Sequence, residues 1–315
     1  MKFYFIIVLS FLFNQETINF SSANPFSFKD IIISLKSQES QDVYGVLRLP
    51  DSNNSLEKYP LIIGVAGSLG WSAHHKEYME IYRSIGIATF ELKSFSSRGV
   101  TSTVGSQSDV TMAMMVLDSY NALDVLAEHP NIDINKVAIT GWSLGGGVAL
   151  FAAWRKIIDS IGSNNRFIAH LPIYPPCFIQ PENIEFSDSP IHILIGELDD
   201  WTPASACENL VGEISKIKDN IDITVYSNSH HSFDSAISLK KIPDAYSFKN
   251  CMFDMNEEGA ILMNYLNIPM TNSLLQKVGL SFCITRGATV SGNSLAKAKS
   301  LDFSKEFMSK HLLTK

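Results

Sequence analysis

A short apolar strand that passes directly into an apolar helix constrains this chain more than any other feature. The segment KVAITGWSLGGGVALFAAW covers residues 136–154, and its strand ends in the pentapeptide GWSLG at 141–145. Because no residues are left for a loop, the turn has to be sharp, so that Ser143 takes a strained backbone conformation and only glycine avoids a clash two positions before and after it. We therefore expect Ser143 to stand above the edge of a sheet, at the N-terminus of a helix.

Short apolar strands alternate with helices on both sides of this turn. Before it, YPLIIGVAG and IGIATFEL have the pattern of buried strands, with helices predicted over 73–85 and 107–128. After it come a helix over about 144–161, the strands RFIAHLPIY and PIHILIG, a helix over about 203–217, the strand DITVYS and a last helix over about 295–313. This alternation predicts an α/β fold with a mostly parallel central sheet flanked by helices.

Two further segments differ from the alternation. DIIISLKS and DVYGVLRLP are short alternating runs separated by a polar turn, and they predict an antiparallel hairpin at the edge of the sheet. Residues 236–290 are irregular, and we expect them to form either an insertion that packs over or beside the sheet or a small lobe that shapes the site above it.

Partners for a reactive serine follow in the chain. A serine hydroxyl becomes a nucleophile when a histidine removes its proton and a carboxylate orients that histidine. The strand IHILIGELDD delivers Asp199 and Asp200 at its end, and the turn NSHHSFD supplies His230 and His231. Asp199 is favoured because it lies three residues after Gly196 and four before Pro203, whereas Asp200 is expected to face solvent or cap the next helix.

Acyl transfer also needs two hydrogen-bond donors for a developing oxyanion. We expect the backbone N–H of Leu144, directly after the nucleophile, and that of Ser68, in the loop after YPLIIGVAG. His74 and His75 begin the helix after this loop and are placed at the mouth of the site, but a third metal ligand is missing. No metal and no cofactor are therefore expected.

Four segments of the chain resemble the dienelactone hydrolase family of α/β-hydrolases. They are PLIIGVAGSLG, SFSSRGV, GWSLGGGVAL, and IGELDDWTPASAC followed by YSNSHHSFD, within about residues 42–235. The resemblance implies an α/β-hydrolase fold, Asp199 as the acid four residues before proline, and His231 as the base of a Tyr-x-x-x-x-His-x-Phe turn. The founding enzymes of the family use a cysteine nucleophile primed by a glutamate, whereas this sequence has Ser143 and Gly67 at those positions. It is similar to the longer, exported branch that carries disulfides and a serine nucleophile.

The resemblance also gives a role to Arg98. It matches an arginine that, in the cysteine enzymes, helps to hold the carboxylate of the substrate. Arg98 is therefore a candidate substrate-binding residue, with an ion pair that fixes its own loop as an equal alternative.

The N-terminus has the layout of a cleaved signal peptide. Lys2 precedes an apolar run over 3–13, and a polar stretch ends at Ala23. About eleven apolar residues are too few to span a bilayer, which takes about 20. We expect a signal peptide at 1–23 and a hydrolase domain at 24–315, a periplasmic or secreted protein, and no stable membrane span after cleavage.

Export makes the four cysteines informative, because thiols pair in an oxidising compartment. The strands before Cys177 and Cys207 are successive in the predicted parallel sheet, so that their ends are neighbours. Of the three possible connectivities we favour Cys177–Cys207 and Cys251–Cys283, with four free buried thiols as the alternative.

Charge and motifs together favour a small-molecule hydrolase. The 25 basic and 32 acidic residues give a net charge of −7 without a basic run, which argues against nucleic acid as a partner. We expect a serine hydrolase that acts on carboxylic esters or lactones through an acyl-enzyme. A serine peptidase or amidase of the same fold and a catalytically silent binding protein are the alternatives, and the oligomeric state stays open.

Overall fold

A single large sheet organises the molecule. The computed structural model describes residues 15–50 and 58–314. In that part of the chain the strands are β1 (Gln15–Ala23), β2 (Ser40–Arg48), β3 (Tyr59–Val65), β4 (Ala88–Leu92), β5 (Ile132–Trp142), β6 (Ala169–Ile173), β7 (Ile179–Pro181), β8 (Ile191–Gly196), β9 (Ile221–Tyr226), β10 (Lys240–Ser247), β11 (Phe253–Met255) and β12 (Thr285–Val290). Eight of these described strands form the central sheet in the order β1-β2-β4-β3-β5-β6-β8-β9. β2 is antiparallel to both of its neighbours, and all pairings from β4 to β9 are parallel.

Helices flank this sheet. In the described ranges they are α1 (Phe28–Ser34), α2 (Ala73–Ser84), α3 (Ser94–Ser97), α4 (Met112–Ala127), α5 (Leu144–Phe151), α6 (Arg155–Ile161), α7 (Ala204–Ile214), α8 (Ser273–Leu280) and α9 (Ser294–Leu312). α4 packs with α5, and α2 packs with α9. The mostly parallel sheet between helices, predicted from the alternation, is therefore confirmed. It is the α/β-hydrolase architecture.

The burial of the central strands explains their composition. Every residue of β3 is buried, and so is every residue of β4. Helices on both faces of a parallel sheet leave no solvent-facing side, so such strands are mostly apolar, and the buried Glu91 of β4 is ion-paired with Arg48 and Lys93. The interface of α2 with α9 adds buried hydroxyl pairs, in which Tyr78 Oη lies 2.7 Å from Ser300 Oγ.

The predicted N-terminal hairpin is wrong in one of its strands. The segment from Phe28 to Ser34 is the helix α1, and β2 pairs instead with β1. The backbone N–H of Ser27 donates to Asp30 Oδ2 at 2.8 Å, which caps the helix, while Ile31 packs into the core. The apolar run DIIIS therefore buries one helical face rather than alternate residues of a strand.

The predicted helix over 144–161 is two helices, α5 and α6, with a break at 152–154. Trp154 is fully buried at this break, and its Nε1 donates to the carbonyl oxygen of Asn183 at 2.8 Å. The chain turns there to bury the indole, which a single straight helix would not do.

The segment 236–290 carries more regular structure than expected. β10 pairs with β12, β11 pairs with the short strand β7 of the main domain, and α8 lies between β11 and β12. We call residues 236–290 the lobe. Disulfide bonds join Cys251 to Cys283 within the lobe and Cys177 to Cys207 beside it, with Cα separations of 5.1 and 4.9 Å. This is the expected pairing.

The N-terminal segment bears on the predicted signal peptide. Residues 1–14 of that prediction lie outside the described residues, whereas 15–23 form β1 at the edge of the sheet. No helix within 15–50 and 58–314 is both long and apolar enough to cross a bilayer.

Candidate active site

Ser143 lies at the turn between β5 and α5, as expected. Its backbone has φ 55° and ψ −116°, a region that side chains other than glycine seldom adopt. A Cβ at Gly145 would overlap the carbonyl oxygen of Val65, and one at Gly141 would overlap the carbonyl oxygen of Gly145. The strained turn thus needs its two glycines, and it holds the serine at a helix N-terminus.

A continuous series of hydrogen bonds joins Ser143, His231 and Asp199. Ser143 Oγ lies 3.0 Å from His231 Nε2, and His231 Nδ1 lies 2.7 Å from Asp199 Oδ2. All three residues are buried. They come from the carboxyl ends of β5, β8 and β9, which the parallel pairing brings to one edge of the sheet.

The neighbouring acid and histidine take other positions. Asp200 accepts hydrogen bonds from the backbone N–H and the hydroxyl of Thr289, both at 2.7 Å, so it binds β12 of the lobe and neither faces solvent nor caps a helix. His230 is half-buried, and its Nδ1 lies 3.1 Å from the carbonyl oxygen of Leu198. The structure therefore brings Asp199 and His231, and not Asp200 or His230, to the serine.

Asp199 has a full set of donors besides the imidazole. Its Oδ1 accepts from the backbone N–H of Trp201 at 2.9 Å and from that of Thr202 at 2.8 Å. The Thr202 hydroxyl lies 3.1 Å from Oδ2 and 3.2 Å from His231 Nδ1. Such donors stabilise the ionised carboxylate and fix its orientation toward the ring.

Two aromatic rings hold the imidazole of His231. The ring centroids of Tyr174 and Trp201 lie 4.6 and 4.8 Å from its own. Tyr174 donates its hydroxyl proton to Asp234 Oδ1 at 3.1 Å, and burial together with the charge of Asp234 raises the pKa of Tyr174 well above its ordinary value. Tyr174 therefore stays protonated and fixed behind the histidine. Tyr174 and Thr202 were not predicted from the sequence, because only the fold brings them to His231. Asp234 was not predicted either, because its contacts with Tyr174 and His74 are tertiary.

His74 and His75 have different surroundings from those expected. His75 is buried and stacks on Trp142 at 4.5 Å, and burial lowers its pKa well below the usual value. Nε2 of His74 lies 3.8 Å from Asp234 Oδ1, and burial lowers its pKa as well. His75 is thus part of the core below the serine rather than of the mouth of a pocket.

The expected oxyanion donors flank Ser143. A Cβ at Gly67 would lie 3.4 Å from the Cβ of Ser143, so the loop that carries Ser68 touches the nucleophile. Ser68 and Leu144 both line the cavity into which Ser143 opens. The N–H groups of the first turn of α5 lack partners within the helix, as at every helix start.

Arg98 lies away from this cavity. Its guanidinium makes a bidentate ion pair with Asp118 at 2.7 and 3.1 Å and donates to Asn24 Oδ1 and to the carbonyl oxygens of Ala23 and Ser94. It is not among the described residues that line the cavity. These contacts favour the loop-fixing ion pair over a role in substrate binding, because no donor is left to face a ligand.

The cavity beside Ser143 has a volume of about 130 Å³ and lies between the main domain and the lobe. Phe28 and Met112 line it from the main domain, and Phe248, Met270 and Leu280 line it from the lobe. Of the two arrangements expected for 236–290, the contacts thus favour a lobe that shapes the site.

Sequence comparison identifies relatives of the central part of the chain. Residues 95–247 match the sequence model of the dienelactone hydrolase family. Protein bem46 of Schizosaccharomyces pombe is 26% identical over 189 residues, which cover 55% of this chain and 60% of bem46. The chain thus matches about three-fifths of the length of this curated relative.

Solved structures share the fold over nearly the whole chain. A dienelactone hydrolase-like promiscuous phosphotriesterase from metagenomic libraries superposes with a TM-score of 0.56 at 14% identity, covering 95% of this chain and 99% of that one. Thermogutta terrifontis esterase 2, phosphoramylated by tabun, superposes with a TM-score of 0.55 at 14% identity, covering 87% and 92%. At these identities the likeness shows the fold alone.

Proposed function

We propose that this chain, whose residues 95–247 match the sequence model of the dienelactone hydrolase family, is a serine hydrolase that cleaves carboxylic esters or lactones through an acyl-enzyme on Ser143. The observation that carries the proposal is the series of hydrogen bonds from Ser143 Oγ through His231 to Asp199, at 3.0 and 2.7 Å. Both lengths lie in the range that proton transfer and imidazole orientation require.

In the first half-reaction, His231 Nε2 takes the proton of the Ser143 hydroxyl as Oγ attacks the ester carbonyl carbon. The carbonyl π electrons move to oxygen, and the backbone N–H groups of Ser68 and Leu144 stabilise that oxyanion. When the tetrahedral intermediate collapses, the C–O bond to the alcohol breaks and His231 gives the proton to the leaving oxygen. Asp199 stabilises the imidazolium meanwhile.

In the second half-reaction, water takes the place of the alcohol. His231 removes a proton from water, the resulting hydroxide attacks the acyl carbon, and the bond from that carbon to Ser143 Oγ breaks with return of the proton. The products are a carboxylic acid and the free serine. No redox partner enters either step.

The first test compares hydrolysis of 4-nitrophenyl esters by the wild type, Ser143→Ala and Ser227→Ala. We expect Ser143→Ala to lower kcat by at least about 10⁴-fold, because the nucleophile is lost. Ser227 is exposed after β9, and its substitution is the matched control. Equal rates for the wild type and Ser143→Ala would contradict the proposal.

Two further readouts separate the alternatives. A fluorophosphonate should label Ser143, located by peptide mass spectrometry, if the serine is activated. A 4-nitroanilide with the same acyl group should react far more slowly than the ester, whereas comparable rates would favour the amidase. Absence of both labelling and hydrolysis would favour the silent binding protein.

A further inference from the structure

The cavity beside Ser143 is walled by apolar side chains from distant parts of the sequence. Phe26 and Phe28 come from the start of α1, Trp201 follows Asp199, and Phe253 and Ile261 belong to the lobe. None of the described residues that line it is Asp, Glu, Lys or Arg. An acyl group attached to Ser143 therefore meets hydrocarbon, with hydroxyls and amides as its polar neighbours.

The lobe side of this wall is linked through Gln107 to the loop that includes Ser68, the proposed oxyanion donor. Gln276 of α8 donates from Nε2 to the carbonyl oxygen of Gln107 at 3.0 Å, and Gln107 Oε1 lies 3.4 Å from Ser68 Oγ. Gln107 has φ 54°, a left-handed conformation that a non-glycine residue keeps only where its contacts hold it. The lobe is thus connected through Gln107 to the loop of the oxyanion donors.

A carboxylate on the substrate would find no lysine or arginine among the described residues that line the cavity. The family resemblance makes Arg98 a candidate for binding a substrate carboxylate. In the structure its guanidinium instead donates to Asp118 and to the carbonyl oxygens of Ala23 and Ser94. An ionised group buried without a partner loses its hydration and gains nothing in return. The described lining therefore discriminates against charged acyl groups.

On the basis of the proposed function, we propose that this cavity is the acyl site, that it takes an uncharged apolar acyl group, and that it rejects acyl groups that end in a carboxylate. Its volume of about 130 Å³ is close to the about 150 Å³ of an apolar protein cavity that accepts benzene. The cavity thus fits an acyl group of about six carbon atoms, either a straight chain or one ring.

The test measures kcat/KM of the wild type for 4-nitrophenyl acetate, butyrate, hexanoate and decanoate and for mono-4-nitrophenyl adipate. Each buried methylene should raise kcat/KM about fourfold until the cavity is full. We therefore expect a maximum near the hexanoate and a value at least about 100-fold lower for the adipate, which has as many carbon atoms but a terminal carboxylate. Equal values for hexanoate and adipate, or a maximum at the acetate, would overturn the proposal.

A positive charge introduced into the cavity tests its selectivity against carboxylates independently. Ile261→Arg should raise the adipate to hexanoate ratio of kcat/KM at least tenfold. Leu262→Arg is the matched control, because Leu262 is also half-buried but does not line the cavity. If Leu262→Arg raised the ratio as much as Ile261→Arg, the cavity would not be the acyl site.

Failure of the proposed function is distinguished by binding to the Ser143→Ala variant. The nitrophenyl group quenches tryptophan fluorescence, and Trp201 lines the cavity, so the dissociation constants of the intact esters can be measured without turnover. If the hexanoate ester bound at least tenfold more tightly than the adipate ester and the wild type hydrolysed neither, the apolar binding site would be supported and the hydrolase activity refuted. Equal binding would refute the cavity.

Discussion

Asp199 and Asp200 show how one position along the chain separates two roles. Asp199 accepts two backbone N–H groups and faces His231, while Asp200 accepts two donors of Thr289 in the lobe. Motif and spacing were enough to choose the first carboxylate. They gave no information on Thr289, because β12 follows 89 residues later and only the folded lobe returns it to this loop.

We predict different consequences for the substitution of each aspartate by asparagine. Asp199→Asn should lower kcat by about 10⁴-fold with little change in folding, because the amide holds the wrong tautomer of His231. Asp200→Asn should keep most of kcat but lower the free energy of unfolding by about 1 to 2 kcal/mol, since it weakens charge-assisted bonds to Thr289. Ester kinetics and urea denaturation of both variants check this, and the reverse assignment of the two effects would contradict it.

At the scale of elements, β1 changes the interpretation of the N-terminus. Phe20 is buried, the hydroxyl of Ser22 donates to Asp118 at 2.5 Å, and the carbonyl oxygen of Ala23 accepts from Arg98. Cleavage after Ala23 would remove this strand and leave β2, which would still pair with β4, as an edge strand of the sheet. The sequence did not predict β1, because the polar run QETINFSSA has the composition of the region before a cleavage site.

We therefore propose that any removal of a leader cuts N-terminal to Gln15, so that β1 stays in the folded chain. A variant without residues 2–14 should keep the stability of the full chain, whereas one without residues 2–23 should lose at least about 3 kcal/mol through Phe20 and the partners of Asp118. Thermal unfolding compares the two variants, and N-terminal sequencing of the protein recovered from the periplasm or medium of an expression host locates any cleavage. A mature chain that begins at Asn24 with full stability would contradict the expectation.

At the scale of the whole molecule, the sequence predicted what local pattern and chain order determine. Apolar runs between helices predicted the parallel sheet, and the turn at Ser143 predicted the edge of that sheet at which Ser143, His231 and Asp199 meet. The lobe was not predictable in the same way, because β11 pairs with β7, whose residues lie 74 positions earlier in the chain, and the cavity walls are joined only by tertiary contacts. β11 has only 3 residues, and β10 and β12 are largely exposed in their N-terminal halves, so the apolar pattern of all three strands is weak.

The histidines of the core give the whole fold a dependence on pH. His170 is buried with Nδ1 2.9 Å from the carbonyl oxygen of Ala149, and burial lowers its pKa to about 4. Burial lowers the pKa of His75 in the same direction. Below the ordinary histidine pKa of about 6.5, the unfolded chain binds protons that the folded chain does not, so stability falls as the pH drops from about 6.5 to 4.

We predict that His170 alone removes about 2 kcal/mol of unfolding free energy between pH 7 and pH 5. His170→Asn, which keeps a donor for Ala149, should be less stable than the wild type at pH 7 but should lose about 2 kcal/mol less on going to pH 5. Ile193→Val, in the buried strand β8, is the control: it weakens the core without a titratable group, so it should lower stability equally at both pH values. Urea denaturation of the three proteins at both pH values measures this, and an equal pH-dependent loss in the wild type and His170→Asn would mean that His170 is not a buried neutral imidazole.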